Sequence, residues 1–176
     1  DYLSSLDLKM TIFENEKSII PRMSQMSQKT NQFNLTTKRY TESDIRKFID
    51  NPNSDVYAFS LADKLGDSGV TGLSIVTTNG STGTAEIDTL LVSCRVIGRK
   101  IEYAFLDYVL RKTKEIGIDE IKAKYITTRK NEQVKEFYDK YSFELINESD
   151  TLRNYTLDLS QYDANRIDYI EVVNGK

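Results

Sequence analysis

No histidine occurs among the 176 residues, and this absence removes more chemistry than any other feature of the sequence. Without an imidazole, neither a Ser-His-Asp triad nor a Cys-His pair can be built within the chain, and no His-ligated metal site can form. A single cysteine excludes an internal disulfide and a Cys-rich zinc site, and it fits a reducing cytoplasm. Basic residues number 24 against 27 acidic ones, a formal net charge of −3, so no surplus of positive charge points to nucleic acid. No apolar run approaches the roughly 20 residues of a membrane span, and no signal-peptide pattern opens the chain; a membrane is not an expected partner. With 39% hydrophobic and 29% charged residues, the chain is long enough for one well-buried core and short for two.

Periodicity then divides the chain. Residues 1–34 are polar and repeat-free, with helical stretches expected around Ser4–Ile12 and Ile20–Lys29. Pro21 interrupts them, and Ser24, Gln25, Ser27 and Gln28 give the segment the look of a solvated linker helix. A folded unit is expected over 35–176. Leu35–Thr41 alternates as a strand does, and Thr41-Glu-Ser-Asp44 caps a short helix running to Ile49. Val56–Ala62 and Val70–Thr77 read as strands joined by a hairpin containing Gly66 and Gly69, and Thr84–Ser93 as a third. Ile101, Ala104, Phe105, Tyr108 and Val109 recur at helical spacing until Gly117 stops the helix. Ile118–Ile126 reads as a strand, and Asn131 is placed to cap a helix whose apolar face is Val134, Phe137, Tyr138 and Tyr141. Strands follow at Phe143–Asn147 and Asn154–Leu159, while Tyr169–Val173 either adds another or frays. The order β-α-β-β-β-α-β-α-β-β predicts a mixed α/β (α+β) sandwich with helices flanking a central sheet.

The spacing Asn131-x-x-Val134-x-x-Phe137-Tyr138-x-Lys140-x-x-Phe143 is similar to the N-x-x-A-x-x-L-Y-x-K-x-G-F segment of the GNAT acetyltransferases, with Ser142 at the usual glycine. Together with the element order, it resembles that fold from roughly Leu35 to Leu159. GNAT enzymes also carry a Q/R-x-x-G-x-G/A loop whose backbone N–H groups cradle the pyrophosphate of coenzyme A at a helix N-terminus. Here that stretch is Ile97-Gly98-Arg99-Lys100-Ile101-Glu102, with both glycines replaced, by Lys100 and Glu102; shifted, Arg95-Val-Ile-Gly98-Arg-Lys100 recovers the Arg and one Gly. Acetyl-CoA is therefore expected to bind weakly or not at all. The run from Arg22 through Gln28-Lys-Thr-Asn-Gln-Phe-Asn-Leu-Thr-Thr37 to Tyr40, followed by Val92-Ser-Cys-Arg-Val-Ile-Gly-Arg99, resembles the FkbH-like family. Those proteins join a HAD-type phosphatase domain to a C-terminal GNAT-like domain. The resemblance implies that this chain is the C-terminal part, that residues 1–34 are its tether, and that the activity is transfer of a glyceryl or other acyl unit, held as a thioester on an enzyme Cys, to an acyl carrier protein.

Several residues are candidates on these grounds. Cys94 is the only thiol and lies between a strand end and a helix start, beside Arg95 and Arg99. It is either a nucleophile, activated by those cations and helix N–H groups without any His, or a small buried hydrophobe. Glu86 falls where many GNAT enzymes place a general base, and the alternative is a carboxylate on a solvated face, shared with Asp88. Tyr138 matches the GNAT tyrosine that protonates a leaving thiolate; packing is its other reading. Val92, Arg95, Gly98, Arg99, Lys100 and Asn131 would hold coenzyme A or the phosphopantetheine arm of a carrier; a solvated basic cluster and a helix cap are the plainer alternatives. The strand ending near Val92 is expected to splay from Ile118–Ile126 and open a cleft for such an arm. A non-catalytic docking or scaffold module with a decayed cofactor loop is the competing function.

Overall fold

The computed structural model describes residues 2–164 and 167–175. In chain order the elements are β1 (Leu8–Glu14), α1 (Ile20–Lys29), α2 (Glu42–Asp50), β2 (Ser54–Asp63), β3 (Gly66–Asn79), β4 (Thr84–Val92), α3 (Ile101–Glu115), β5 (Glu120–Ile126), β6 (Glu144–Glu148), β7 (Leu152–Asp158) and β8 (Ile170–Asn174). These strands form one mixed sheet in the order β6-β7-β5-β4-β3-β2-β1-β8, parallel only at β4–β5 and β1–β8. Side-chain alternation along the strands divides the core between two faces. On β2, Val56 and Ala58 point to α1 and α2, where Ile20, Met23, Met26 and Ile45 cover them. Tyr57 and Phe59 point the other way, into a larger core with Phe105 and Val109 of α3. Thr41 and Asp44 form the expected reciprocal cap on α2, and Gly117 ends α3 with φ of 92°. Among the described residues, no helix is long and apolar enough to cross a membrane.

Three expectations from the sequence are overturned here. The segment 1–34 is not a solvated linker. Its Ser4–Ile12 stretch is a short 3-10 turn followed by β1, whose Leu8, Met10 and Ile12 are buried on one face. That is strand periodicity inside a stretch short enough to be taken for a helix. α1 likewise docks: the Ser24 and Ser27 hydroxyls donate to the Tyr40 carbonyl, and the Tyr40 N–H donates back to Ser27 Oγ. The serines that made this helix look solvated are its anchors. Leu35–Thr41 is not a strand, and only Asn34 makes a single bridge, to Leu91. The helix expected from Asn131 is instead two 3-10 turns, Glu132–Val134 and Asp139–Tyr141, although Val134, Phe137, Tyr138 and Tyr141 are all buried as expected.

β4 positions everything that follows. Its register with β3 slips between Ile75, paired with Thr89, and Val76, paired with Ile87, leaving Asp88 as an extra residue. Such a bulge bends the strand. Pairing of β4 with β5 accordingly runs only from Thr84–Glu120 to Ile87–Ala123 and stops at the bulge. Beyond it the two strands part, as expected, into a wedge.

Candidate active site

The wedge is filled by the chain itself. The Leu35 N–H donates to the Leu90 carbonyl at 3.1 Å, and the Val92 N–H donates to the Phe33 carbonyl at 3.0 Å. On the other side, the Ile126 N–H of β5 donates to the Leu35 carbonyl at 2.8 Å. Residues 33–35 thus satisfy the backbone groups that splaying would otherwise leave open. Asn131, fully buried, locks this insert. Its Nδ2 donates to the Asn34 and Ile126 carbonyls, both at 2.9 Å, and its Oδ1 accepts from the Thr128 N–H and the Tyr125 hydroxyl. It makes no side-chain cap, so the expected capping role is replaced by a tie between the insert and β5. Asp88 secures the same segment at the bulge. Its carbonyl accepts from Thr36 Oγ1, while its carboxylate accepts from Lys38, Tyr40 and Thr89. Burial and that carboxylate push the Tyr40 hydroxyl well above its ordinary value.

The other candidates disperse. Glu86 lies on the paired half of β4, where it bonds Lys124 of β5 at 3.1 Å, a half-exposed cross-strand ion pair away from the wedge mouth. Tyr138 is packed among Phe137, Phe143 and Tyr155, and burial raises its hydroxyl far above the usual range. Arg99 does not turn toward Cys94; its guanidinium reaches Asp63 of β2 at 3.4 Å. Gly98 takes φ of 101° and Lys100, at the N-cap of α3, takes φ of 61°, the left-handed region that a glycine would occupy without strain. Glu102 sits in the first turn of α3 and is buried, with Oε2 lacking a partner among the described residues. Burial pushes its carboxyl up, opposed by the backbone N–H groups of Glu102 and Gly98, which favour the charged form.

Coenzyme A does not fit this arrangement in the place the resemblance assigns it. The backbone of β4 beyond the bulge is bonded to residues 33–35, and a carboxyl interacts with the loop N–H group that pyrophosphate would need.

Cys94 remains available. It is exposed, at the start of a 3-10 turn (Cys94–Val96) that follows β4, so the core-packing alternative fails. It borders a cleft of about 880 Å³ at the wedge mouth, between one side of α1, residues 30–33, the end of β4 and the loop after β5. Arg22, Lys29, Arg95, Arg129 and Lys130 line the cleft, and among the described residues no acidic side chain does. Arg22 donates through Nε to the Val70 carbonyl and through Nη1 to Gln25. Burial, and then the charge of Arg95, lower its guanidinium from the ordinary value. Of these residues, only Arg95 stood out in the sequence beside Cys94. The other four come from α1 and the β5 loop, and only the folded topology brings them together.

No protein-family model matches the sequence, and no curated protein does. The fold is nonetheless shared with solved acetyltransferases. The ribosomal-protein-S18-alanine N-acetyltransferase of Escherichia coli superposes with a TM-score of 0.65 at 12% identity, over 90% of this chain and 99% of that one. A variant of the spermidine N-acetyltransferase of Vibrio cholerae gives 0.65 at 13% identity, over 87% and 95%. An acetyltransferase of Thermus thermophilus gives 0.63 at 14% identity, over 87% and 99%. The fold is that of the GNAT acetyltransferases.

Proposed function

We propose that this GNAT-fold chain is an acyl-transfer domain that works on thioesters through Cys94. The supporting observation is the position of that thiol: exposed, at the mouth of the parted strands, and on the rim of a cleft large enough for a small organic group. In the proposed step the Cys94 thiolate attacks the carbonyl carbon of a thioester. A bond forms between Cys94 Sγ and the acyl carbon, the original C–S bond breaks, and the departing thiolate takes up the proton that Cys94 released. Glu86 and Tyr138 are assigned no part in it, being tied to Lys124 and sealed in the aromatic core. The resemblance of the 22–40 and 92–99 segments extends the proposal to a glyceryl acyl group, an acyl carrier protein as recipient, an upstream HAD-type phosphatase domain of the same polypeptide, and a cytoplasmic setting.

The test is intact mass after incubation with a phosphoglyceryl donor or an acyl-carrier thioester. An added acyl mass that is absent in Cys94→Ser supports the proposal. A chain that stays unmodified, although iodoacetamide labels Cys94 in the native state, rejects it. That outcome favours the second reading, a non-catalytic docking module. The filled wedge and the buried Glu102 are the observations on its side.

A further inference from the structure

The cleft beside Cys94 carries a charge pattern that the proposed transfer does not itself require. The chain as a whole is acidic, with a net charge of −3, yet five cationic side chains converge on one 880 Å³ cleft without a carboxylate among its lining residues. None of the five forms an ion pair among the described residues. Elsewhere several cations do have carboxylate partners, among them Lys38, Arg99, Arg111, Lys124 and Arg153. Arg22 is half-buried and held by two hydrogen bonds that leave its Nη2 without a protein partner among the described residues. The arginine thus presents an open edge close enough to Arg95 for their charges to repel. Folding two guanidinium groups toward one another without a counter-charge is unfavourable, and a bound anion removes the cost. Met26 and Phe33 add an apolar side to the same cleft. Its size is that of a small-molecule site rather than an extended nucleic-acid track.

We infer that this cleft is a receptor for a phosphorylated organic anion, gripped between Arg22 and Arg95 with Lys29, Arg129 and Lys130 around it, and that it excludes cationic amines. The inference deepens the proposed function by naming the ligand chemistry of the same cleft. It also separates this chain from the spermidine N-acetyltransferase that shares its fold, since a polyamine would meet only like charge here. Two sources present a phosphate of this kind: a phosphomonoester dianion on a small donor, and a phosphodiester monoanion on a carrier-borne arm.

Calorimetry on the full chain tests it, with inorganic pyrophosphate as the probe, methyl phosphate and dimethyl phosphate to distinguish the two sources, and spermidine as the amine. Arg95 and Arg129 are exposed, so Arg95→Glu and Arg129→Glu leave the fold intact, and Arg46→Glu on α2 makes the same change in net charge outside the cleft. Pyrophosphate should bind the native chain, with its dissociation constant raised at least about tenfold by Arg95→Glu or Arg129→Glu and less than about twofold by Arg46→Glu. Tighter methyl than dimethyl phosphate identifies the dianion source, and the reverse identifies the diester. Equal effects of all three variants, no pyrophosphate binding, or spermidine binding would overturn the inference. Since these readouts need no reaction at Cys94, anion binding without acylation sinks the transfer proposal alone, and acylation without anion binding sinks this one alone.

Discussion

Replacing Asn131 by Ala removes one side chain that holds three segments together, and its cost can be worked from the hydrogen bonds. The Thr128 N–H, at 2.9 Å from Oδ1, and the Ile126 carbonyl, at 2.9 Å from Nδ2, lose the side-chain partner they have. The Asn34 carbonyl retains only a long 3.4 Å contact from Thr37, and the Tyr125 hydroxyl a 3.4 Å contact to the Asn131 carbonyl. A buried polar group left unpaired costs about 1–3 kcal/mol, so two full and two partial losses give about 3–5 kcal/mol after allowance for relaxation. For a chain of this size that lowers Tm by about 6–20 °C. Urea unfolding supplies the free energy, and amide exchange supplies the location. The N–H groups of Leu35, Val92 and Ile126, which stitch the insert to β4 and β5, should lose protection ahead of β2 and β3. Asn131→Asp keeps both accepted bonds but sets an oxygen against two carbonyls, so it should be no better at neutral pH and should recover on acidification. A loss below about 1 kcal/mol for Asn131→Ala, with unchanged exchange at Leu35 and Val92, would refute the account of the wedge as a filled, locked joint.

Other outcomes follow from single contacts. Gly72→Ala would drive a Cβ into the Phe59 ring, which is fully buried with its centroid 4.7 Å from that of Phe105, so chemical denaturation should show a loss of about 1–3 kcal/mol. Lys100→Gly relieves a φ of 61° and should leave stability unchanged or raise it by up to about 1 kcal/mol, read as a higher Tm. Glu102 has its folded pKa raised above the unfolded value, so it favours folding fully below the ordinary value of 4.5 and progressively less as pH rises through the folded one. Glu102→Gln should therefore flatten the pH–stability curve above pH 4.5, and a variant curve parallel to the parent's would contradict this. Acetyl-CoA should show no low-micromolar binding by calorimetry, a level that corresponds to about −8 kcal/mol.

The elements legible in the sequence are those whose pattern is carried by side chains on one element alone. α3 declares itself through Ile101, Ala104, Phe105, Tyr108 and Val109, and α2 through the Thr41–Asp44 cap, because local spacing decides both. β1 is hidden since Leu8, Met10 and Ile12 alternate within only seven residues, next to a 3-10 turn whose composition is equally helical. The stretch from Asn131 reads as a helix and buries the expected face, but Asn131 spends its side chain on Asn34, Ile126, Thr128 and Tyr125. The turns that follow take 3-10 form.

The site shows why resemblance of a motif and availability of its atoms are separate questions. The splay of β4 from β5 is legible because β4 precedes a loop and helix in the familiar order, and its cause is local, one bulged residue at Asp88. What occupies the splay lies more than fifty positions upstream, in a stretch of Phe33, Asn34 and Leu35 whose role depends on pairing with two other strands. No local periodicity encodes a segment that is neither helix nor strand yet donates and accepts at the right spacing on both sides. The same holds for the cationic cleft: Arg22 and Lys29 lie on α1, Arg95 after β4, Arg129 and Lys130 after β5. In sequence each is an ordinary surface charge in a chain whose net charge is negative. Their lack of carboxylate partners becomes visible only when the wedge mouth brings the three segments together. With the wedge closed by the chain's own backbone, that unneutralised charge, rather than the loop at Gly98, is the feature from which the proposed ligand preference is read.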